Sequence, residues 1–185
     1  MQRTDNGERE RMCNPMHTPE MWDLLDEHGN KTGHLHERGK PLCEHALFLT
    51  VHVWIINSRN EFLITRRTPH RGHLWHTTGG CVVAGDDSIT AALRETREEI
   101  GLVLNAADAE FFTRVKVKRI ADDGYMFQDV WLFRQDVDIS TLVLQADEVC
   151  DAMWASADAI RGMIADKTFV NPTEWYPYLD DLMEF

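Results

Sequence analysis

Residues 80–102 read GCVVAGDDSITAALRETREEIGL, and this stretch places three glutamates within one turn of a predicted helix. Glu95, Glu98 and Glu99 are one to four positions apart, so at the helical period of about 3.6 residues their side chains can converge on one point. Like charges at this spacing destabilise an isolated helix. Mg²⁺ and Mn²⁺ prefer carboxylate and carbonyl oxygens and would reverse that repulsion. The cluster therefore predicts a metal site.

The glycines and capping residues around the glutamates set this stretch apart from a solvated acidic helix face, which is the commoner meaning of an acidic run. A glycine pair at 79–80 precedes the helix, and Gly101 follows its last turn, where left-handed backbone is expected. Any of the residues 86–88, Asp-Asp-Ser, can cap the start. These positions predict a helix over residues 88–100 between two glycine-dependent loops.

The segment resembles the Nudix box, in which a glycine, five residues, a glutamate and seven residues precede R-E-U-x-E-E-x-G-U, where U is aliphatic. The matching residues are Gly80, Arg94, Glu95, Glu98, Glu99, Gly101 and Leu102. Asp86 stands where the family has glutamate and Thr96 stands at an aliphatic position, but neither change removes an expected metal ligand. The resemblance implies the Nudix α/β/α sandwich, an α+β fold with a mixed central sheet. It also implies Mg²⁺-dependent cleavage, with Mn²⁺ as a substitute, of a diphosphate linkage in a small nucleoside-diphosphate-X or related organic diphosphate.

Composition limits the partners and the compartment. The 185 residues suit one domain, and the net charge of −12 argues against duplex nucleic acid and anionic membranes as partners. The four cysteines form no C-x-x-C pair, so neither a zinc ribbon nor a redox motif is indicated. No stretch approaches the roughly 20 apolar residues that span a bilayer. We expect a soluble cytoplasmic protein.

The chain reads as a flexible tail over residues 1–18 followed by a single domain over 19–185. Two short extended runs at 22–26 and 33–38, joined by a turn at 28–30, predict an N-terminal β-hairpin. Strands are expected at 46–56, 61–67, 110–120, 125–134 and 149–154, a loop at 68–78, and helices at 88–100, 156–166 and 172–183. Because strands and helices do not alternate as βαβ units, α+β layers are favoured over a doubly wound sheet.

The resemblance also implies roles for individual residues. The Gly79 carbonyl and the carboxylates of Glu95, Glu98 and Glu99 correspond to the metal ligands, and Arg94 to the arginine that orients a neighbouring carboxylate. Arg94, Glu95, Glu98 and Glu148 form the predicted catalytic set. Two residues are candidates for the general base, Glu95 and Glu148. Glu148 can equally be a surface loop acid. Crowded carboxylates titrate as a coupled set.

Arg66 and Arg67, at the end of a predicted strand, are the expected substrate contacts. Alternation sends their side chains to opposite faces, so at most one serves, and we favour Arg67. Trp75 is a further substrate-binding candidate but can equally belong to the core. Arg114, Lys116 and Lys118 form a basic strand face that is read as solvated.

The nine histidines invite a zinc interpretation, above all His34-x-His36 and His70-x-x-His73-x-x-His76. Neither group lies in a helical H-E-x-x-H frame, and no cysteine lies at ligand spacing, so loop histidines without a metal are favoured. Because residues 73–76 directly precede the glycine pair, they are candidates for the pocket wall.

From Trp22 to Asp181 the chain looks like the Nudix branch related to isopentenyl-diphosphate isomerase, through its leading hairpin, the VHVWIIN strand and the QADEV segment. The isomerases require a cysteine where this chain has Gly79, a histidine where it has Cys81, and a histidine where it has Phe48. Isomerase chemistry is therefore disfavoured, and hydrolysis is the better prediction.

The third interpretation is a non-catalytic Nudix binding module. The three crowded anions argue against it, because a protein that only binds has no need of them. The resemblance to this branch does not identify X, the group that is linked to the diphosphate. We expect the 68–78 loop and the Trp175-Tyr176 region to determine which X is bound. Homodimers are common in the family, so a homodimer is a candidate assembly.

Overall fold

The computed structural model of the protein describes residues 19–119 and 124–184. Its strands are β1 (Met21–Leu25), β2 (Lys31–Glu37), β3 (Leu49–Ile56), β4 (Phe62–Arg67), β5 (Trp75–His76), β6 (Thr78–Cys81), β7 (Glu110–Lys118), β8 (Tyr125–Arg134) and β9 (Val149–Ala155). Its helices are α1 (Ser88–Ile100), α2 (Ala157–Ala165), α3 (Pro172–Trp175) and α4 (Leu179–Met183). The predicted tail at residues 1–18, and most of the predicted turn between β7 and β8, lie outside the described residues.

A mixed seven-stranded sheet forms the centre of the fold, in the order β5-β4-β3-β8-β7, with β6 paired to β3 and β9 to β4. β3 and β8 are parallel, whereas the other pairs are antiparallel. Trp54 of β3 packs in the core beneath α2 and α4, and Val53 packs in the core beneath α1. Both faces of the sheet are therefore covered, which confirms the expected α+β sandwich.

Helix α1 has the bounds that its capping residues predict. The Asp87 carboxylate accepts a hydrogen bond from the Thr90 amide at 2.9 Å, and Gly101 ends the helix at φ 69°. Thr96, at an aliphatic position of the box, is buried and donates its hydroxyl to the Ala92 carbonyl at 2.8 Å. Glu99, one of the three clustered glutamates, is buried.

The N-terminal hairpin forms as predicted and is fastened to the loop before α1. The Ala84 amide donates to the Met21 carbonyl at 2.7 Å, and the Gly85 amide donates to the Asp23 carboxylate at 2.9 Å. Lys31 completes the attachment with an ion pair to Asp23 at 2.7 Å. The hairpin is therefore held against the segment that carries the glutamates.

Two predicted elements differ from the structure. The single helix expected at 172–183 is divided into α3 and α4 at Tyr176-Pro177-Tyr178, because proline has no amide hydrogen and clashes with the preceding turn. The expected loop at 68–78 contains β5 and the start of β6, because His76 pairs with Thr65 of β4. In the described part of the chain, no helix is long and apolar enough to cross a membrane.

A buried polar network joins the sheet to the divided C-terminal segment. The Trp54 indole donates to the Tyr178 hydroxyl at 3.0 Å, and the same hydroxyl is hydrogen-bonded to His52 Nδ1 at 2.7 Å. His52 Nε2 lies 3.0 Å from Gln128 Nε2. Burial lowers the pKa of His52 to about 3, so this imidazole is neutral at physiological pH.

We expect Tyr178→Phe to destabilise the protein by about 1–3 kcal/mol, because it leaves the buried Trp54 and His52 groups without their shared partner. For a chain of this length, each kcal/mol lowers the Tm by about 2–4 °C. Thermal unfolding measures the change, with Tyr125→Phe, at an exposed ring, as the matched control. An equal Tm for the two variants would contradict this assignment of the hydroxyl.

Candidate active site

A cavity of about 300 Å³ lies between α1, β6 and the loops beside them. Charged and glycine residues dominate its lining, which includes Glu20, Arg38, Arg67, Arg71, Gly79, Gly80, Arg94, Glu95, Glu98, Glu99 and Glu148. Every residue of the predicted metal and catalytic sets is therefore at this cavity. The long-range fold has brought Glu148 to the helix that carries the box.

Arg94 is the residue that organises the glutamates. Its guanidinium contacts the Glu95 carboxylate at 2.8 Å and the Glu98 carboxylate at 3.1 Å, and it donates to the Cys81 carbonyl at 3.0 Å. Asp86 lies 3.8 Å from Arg94 Nε, so the aspartate that replaces the family's glutamate retains a longer contact. Arg94 thus holds α1 and β6 in register around two of the three glutamates.

Glu99 is the most deeply buried of the glutamates, with 4% of its surface exposed. Its Oε2 atom has no hydrogen-bond partner among the described residues. Burial raises the pKa of Glu99 well above its usual range, and the nearby Glu95 and Glu148 carboxylates raise it further. Burial likewise raises the pKa of Glu95. The Glu95 and Glu99 carboxylates therefore lie where a nearby cation would lower the cost of ionising them.

The three glutamates do not converge on one point as the helical spacing predicts. Glu98 extends outward with 54% of its side chain exposed, whereas Glu99 is buried at the wall of the cavity. Within residues 19–119 and 124–184, no group of three His, Cys, Asp or Glu side chains is assembled as a metal site.

The donor chemistry nevertheless fits a hard divalent ion. The unpartnered Glu99 Oε2 is an oxygen donor in a buried setting, and Glu95 lies against the glycine pair so closely that an added Cβ at Gly80 would collide with its carboxylate. Glu95, Glu98, Glu99 and the Gly79 carbonyl are the oxygen donors available for such an ion.

Arg66 and Arg67 point to opposite sides of β4, as their alternation predicts. Arg67 lines the cavity, and its guanidinium forms no hydrogen bond or ion pair with any residue in the described part of the chain. Arg66 lies over the Trp75 ring at 5.5 Å and donates to the His73 carbonyl at 3.2 Å. Arg67 is therefore the cation that remains available to a ligand.

Trp75 does not line the cavity, which corrects its selection as a substrate contact. Only 8% of its surface is exposed, and its ring packs in the core beneath α2. Its neighbour His76 does line the cavity. Because β5 pairs with β4, alternation turns the His76 side chain towards the cavity and the Trp75 side chain away from it.

Several site residues escaped the sequence reasoning. Arg71 holds the Glu148 carboxylate at 2.9 Å, so Glu148 is a positioned acid at the cavity edge. Glu20 and Arg38 of the N-terminal hairpin form an ion pair at 2.7 Å and also line the cavity. No local signal marks Glu20 and Arg38, because only the attachment of the hairpin places them at the site.

Among the residues that the structure describes, none forms a cysteine nucleophile or a zinc site. Burial raises the pKa of the Cys81 thiol to about 12, so the reactive thiolate is not populated at neutral pH. A Cβ at Gly79 would collide with the Val51 carbonyl, so the backbone leaves no room for a cysteine there. His36 is buried against Trp22, whereas His34 is exposed, so the His34-x-His36 pair has no shared site.

The chain is similar to a protein-family model, to related sequences and to solved structures. The family model for the NUDIX domain matches residues 46–178. The chain is 32% identical over 155 residues to a Nudix hydrolase of Listeria monocytogenes, covering 82% of this chain and 88% of the relative. It is 25% identical over 154 residues to the isopentenyl-diphosphate Delta-isomerase of Escherichia coli, covering 80% and 84%. The solved structure of DR0079 from Deinococcus radiodurans superposes with a TM-score of 0.63 at 20% identity, covering 89% of this chain and 98% of that one.

We expect Glu99→Gln to stabilise the metal-free protein at pH 8. The pKa of Glu99 is raised above its ordinary value of 4.5 in the folded state, so folding stability falls as the pH rises from that value through the folded pKa. The amide removes this loss, and in chelator at pH 8 the Tm should rise by at least about 2 °C. The difference should shrink towards pH 4.5. Glu98→Gln, at an exposed carboxylate, is the control, and a lower Tm for Glu99→Gln at pH 8 would contradict the expectation.

Proposed function

This chain belongs to the Nudix family and is a Nudix hydrolase, and we propose that it cleaves the P–O–P linkage of a small nucleoside-diphosphate-X or related organic diphosphate with Mg²⁺ or Mn²⁺. One observation carries the proposal: the buried Glu99, with an unpartnered oxygen, shares a cavity with Arg67, whose guanidinium has no hydrogen bond or ion pair in the described part of the chain and acts on Glu99 only through longer-range electrostatics. The first needs a cation and the second needs an anion. A metal-bound diphosphate satisfies both.

The chain's own residues supply most of the machinery. Glu95, Glu98, Glu99 and the Gly79 carbonyl would hold the metal, whose Lewis acidity neutralises phosphate oxygens and acidifies water. Arg94, which contacts Glu95 and Glu98, would then orient their carboxylates rather than neutralise them alone. The raised pKa values of Glu95 and Glu99 support this arrangement, since a bound cation removes the cost of ionising them.

The phosphates would be bound from the opposite side of the cavity. Arg67 is the primary contact, because it needs no rearrangement to meet an anion. Arg38 and Arg71 already hold Glu20 and Glu148, respectively, so their remaining donors are secondary contacts. Fixed cations at the site orient the diphosphate and stabilise the charge that develops during its cleavage.

The general base is Glu95 or Glu148, and different observations favour each. The raised pKa of Glu95 brings its proton affinity closer to neutral pH, which suits a base. Glu148 is held in place by Arg71 at 2.9 Å, and its loop is free of the metal-ligand role. Because the carboxylates are neighbours, the pH–rate profile will report the group as a coupled set.

The isomerase and binding-module alternatives have less support. The strand position that a catalytic cysteine would need is Gly79, and the backbone there excludes a side chain. A module that only binds has no use for a carboxylate as costly to ionise as Glu99. We also propose a cytoplasmic location, since the three cysteines of the described residues are unpaired.

We expect Mg²⁺-dependent release of a phosphorylated product from a panel of organic diphosphates, and a loss of at least about 100-fold in kcat for Glu98→Gln and for Glu99→Gln. Each variant removes an anionic metal ligand while keeping the side-chain shape. Phosphate release in Mg²⁺, in Mn²⁺ and in chelator measures the effect, with Glu110→Gln, on the exposed end of β7, as the control. Full turnover in chelator would contradict the proposal.

We expect Arg67→Ala to lower kcat/KM by at least about tenfold, because it removes the cation that meets the phosphates. Arg66→Ala is the matched control, since it changes the same residue type one position away on the opposite side of the strand. Its kcat/KM should stay within about threefold of the parent. Steady-state kinetics on the best substrate of the panel compares them, and equal losses in the two variants would argue against the assignment of Arg67.

A further inference from the structure

A second cavity, of about 550 Å³, adjoins the carboxylate-lined one. Five residues line both cavities, namely Arg67, His76, Gly79, Gly80 and Cys81. The two spaces therefore meet along β6 and the end of β4. A molecule that places its phosphates in the first cavity has its remaining group directed at the second.

The walls of the second cavity are apolar, in contrast with those of the first. Phe48, Met126, Val170, Trp175 and Tyr176 provide most of them. Among the described residues, none that lines this cavity is an aspartate or a glutamate, although the chain carries 31 of them. Its two cations are Arg67, which it shares with the first cavity, and Arg119, whose guanidinium already donates to the Ala46 and Tyr125 carbonyls at 2.8 and 2.7 Å. The carboxylates are therefore confined to the first cavity, and the second offers mainly apolar surface.

The apolar walls are held in place by packing. Phe48 and Met126 belong to one buried cluster, against which Trp175 is packed. The Phe48 ring stacks on Trp22 of the N-terminal hairpin, with ring centroids 4.7 Å apart. The cavity walls therefore come from β3, β6, β8, α3 and the segment before β3, and β1 supports them from behind Phe48.

Several polar groups at the base of the cavity already have hydrogen-bond partners within the protein. The Thr50 hydroxyl donates to the Phe127 carbonyl at 3.1 Å, and His52 is engaged by both Tyr178 and Gln128. Gln128 is fully buried, and its Oε1 atom has no partner in the described structure. One acceptor cannot satisfy the several hydroxyls of a sugar, and burying a hydroxyl without a partner is costly.

We propose that the second cavity binds the organic group X, and that X is a predominantly apolar, uncharged group, so that the substrates are diphosphate esters of hydrocarbon alcohols. This inference rests on the proposed function and names its substrate class. Water attacks a phosphorus atom of the P–O–P linkage, the bridging oxygen leaves with the other phosphate, and one proton passes to the base. The products are the hydrocarbon monophosphate and inorganic phosphate. The apolar group stays in its cavity during the step, because the C–O bond is not broken.

The decisive experiment compares substrates that differ only in X. Methyl, isopentenyl and geranyl diphosphates form a series of increasing apolar size, and ADP-ribose and UDP-glucose represent polar X groups. Each methylene buried in an apolar cavity is worth about fourfold in affinity. We expect kcat/KM in Mg²⁺ to rise at least about tenfold from the methyl to the geranyl ester and to exceed that for either nucleotide sugar.

The outcomes separate this inference from the proposed function. A preference for the nucleotide sugars, or rates independent of chain length, would overturn the inference while leaving the hydrolase proposal intact. If no compound is cleaved, the proposed function fails, and calorimetry with methylene-bridged geranyl diphosphate then decides the inference alone. Binding weaker than that of the methyl analogue would overturn it, and binding at least about tenfold tighter would support it.

Variants of the cavity wall provide a second test. Trp175→Glu places an anion against walls that carry none. We expect this variant to lower kcat/KM for the geranyl ester at least about tenfold. Trp175→Phe, which keeps an apolar ring, should retain most of the parent's kcat/KM. Val103→Glu adds the same charge at a site that is 74% exposed and should stay within about twofold of the parent. Because Trp175 is only half-buried, folding should survive, and circular dichroism checks this. If Trp175→Glu does not fold, Met126→Gln on β8 replaces it; equal rates for the folded cavity variant and the parent would contradict the inference.

Discussion

The burial of one carboxylate between α1 and β6 is the constraint on which the site depends. Glu99 is 4% exposed and has an oxygen without a partner, so the fold bears the cost of an ionisable group in its interior. Gly80 permits the close approach of α1 to β6, since a Cβ there would collide with the Glu95 carboxylate, and Gly79 permits the close approach of β6 to the Val51 carbonyl of β3. Arg94 then links the same helix to the Cys81 carbonyl. The proposed metal binding and the packing of α1 on β6 thus depend on the same few contacts.

The three-layer fold places unlike environments on the two sides of β6. Charged residues from α1, the N-terminal hairpin and the loop before β9 surround the first cavity, whereas aromatic and aliphatic residues from β8 and α3 surround the second. The division at Tyr176-Pro177-Tyr178 matters here, because it turns Tyr176 into the cavity wall and Tyr178 into the network with Trp54 and His52. Proline chemistry at one position therefore shapes the binding space.

Local signals explain which elements could be predicted well. The bounds of α1 follow from Asp87 and Gly101, whose capping roles depend only on neighbouring backbone groups. The two hairpins likewise form from adjacent segments. The errors arose where a distant segment decides the outcome. Residues 75 and 76 become a strand because β4 lies beside them, and Trp75 enters the core for the same reason.

The sequence by itself determined the family, the α+β class and the identity of the carboxylates, because the box is a contiguous pattern whose helix period and glycines act locally. Only the tertiary structure decided how these carboxylates are arranged. Arg94 neutralises two of them and the third is buried, which helical spacing does not reveal. The tertiary structure also placed Arg67 and Arg38, and not Arg66, in the lining of the cavity. These outcomes depend on contacts between segments far apart in the chain and on competition among charges for partners, neither of which is encoded in any local stretch.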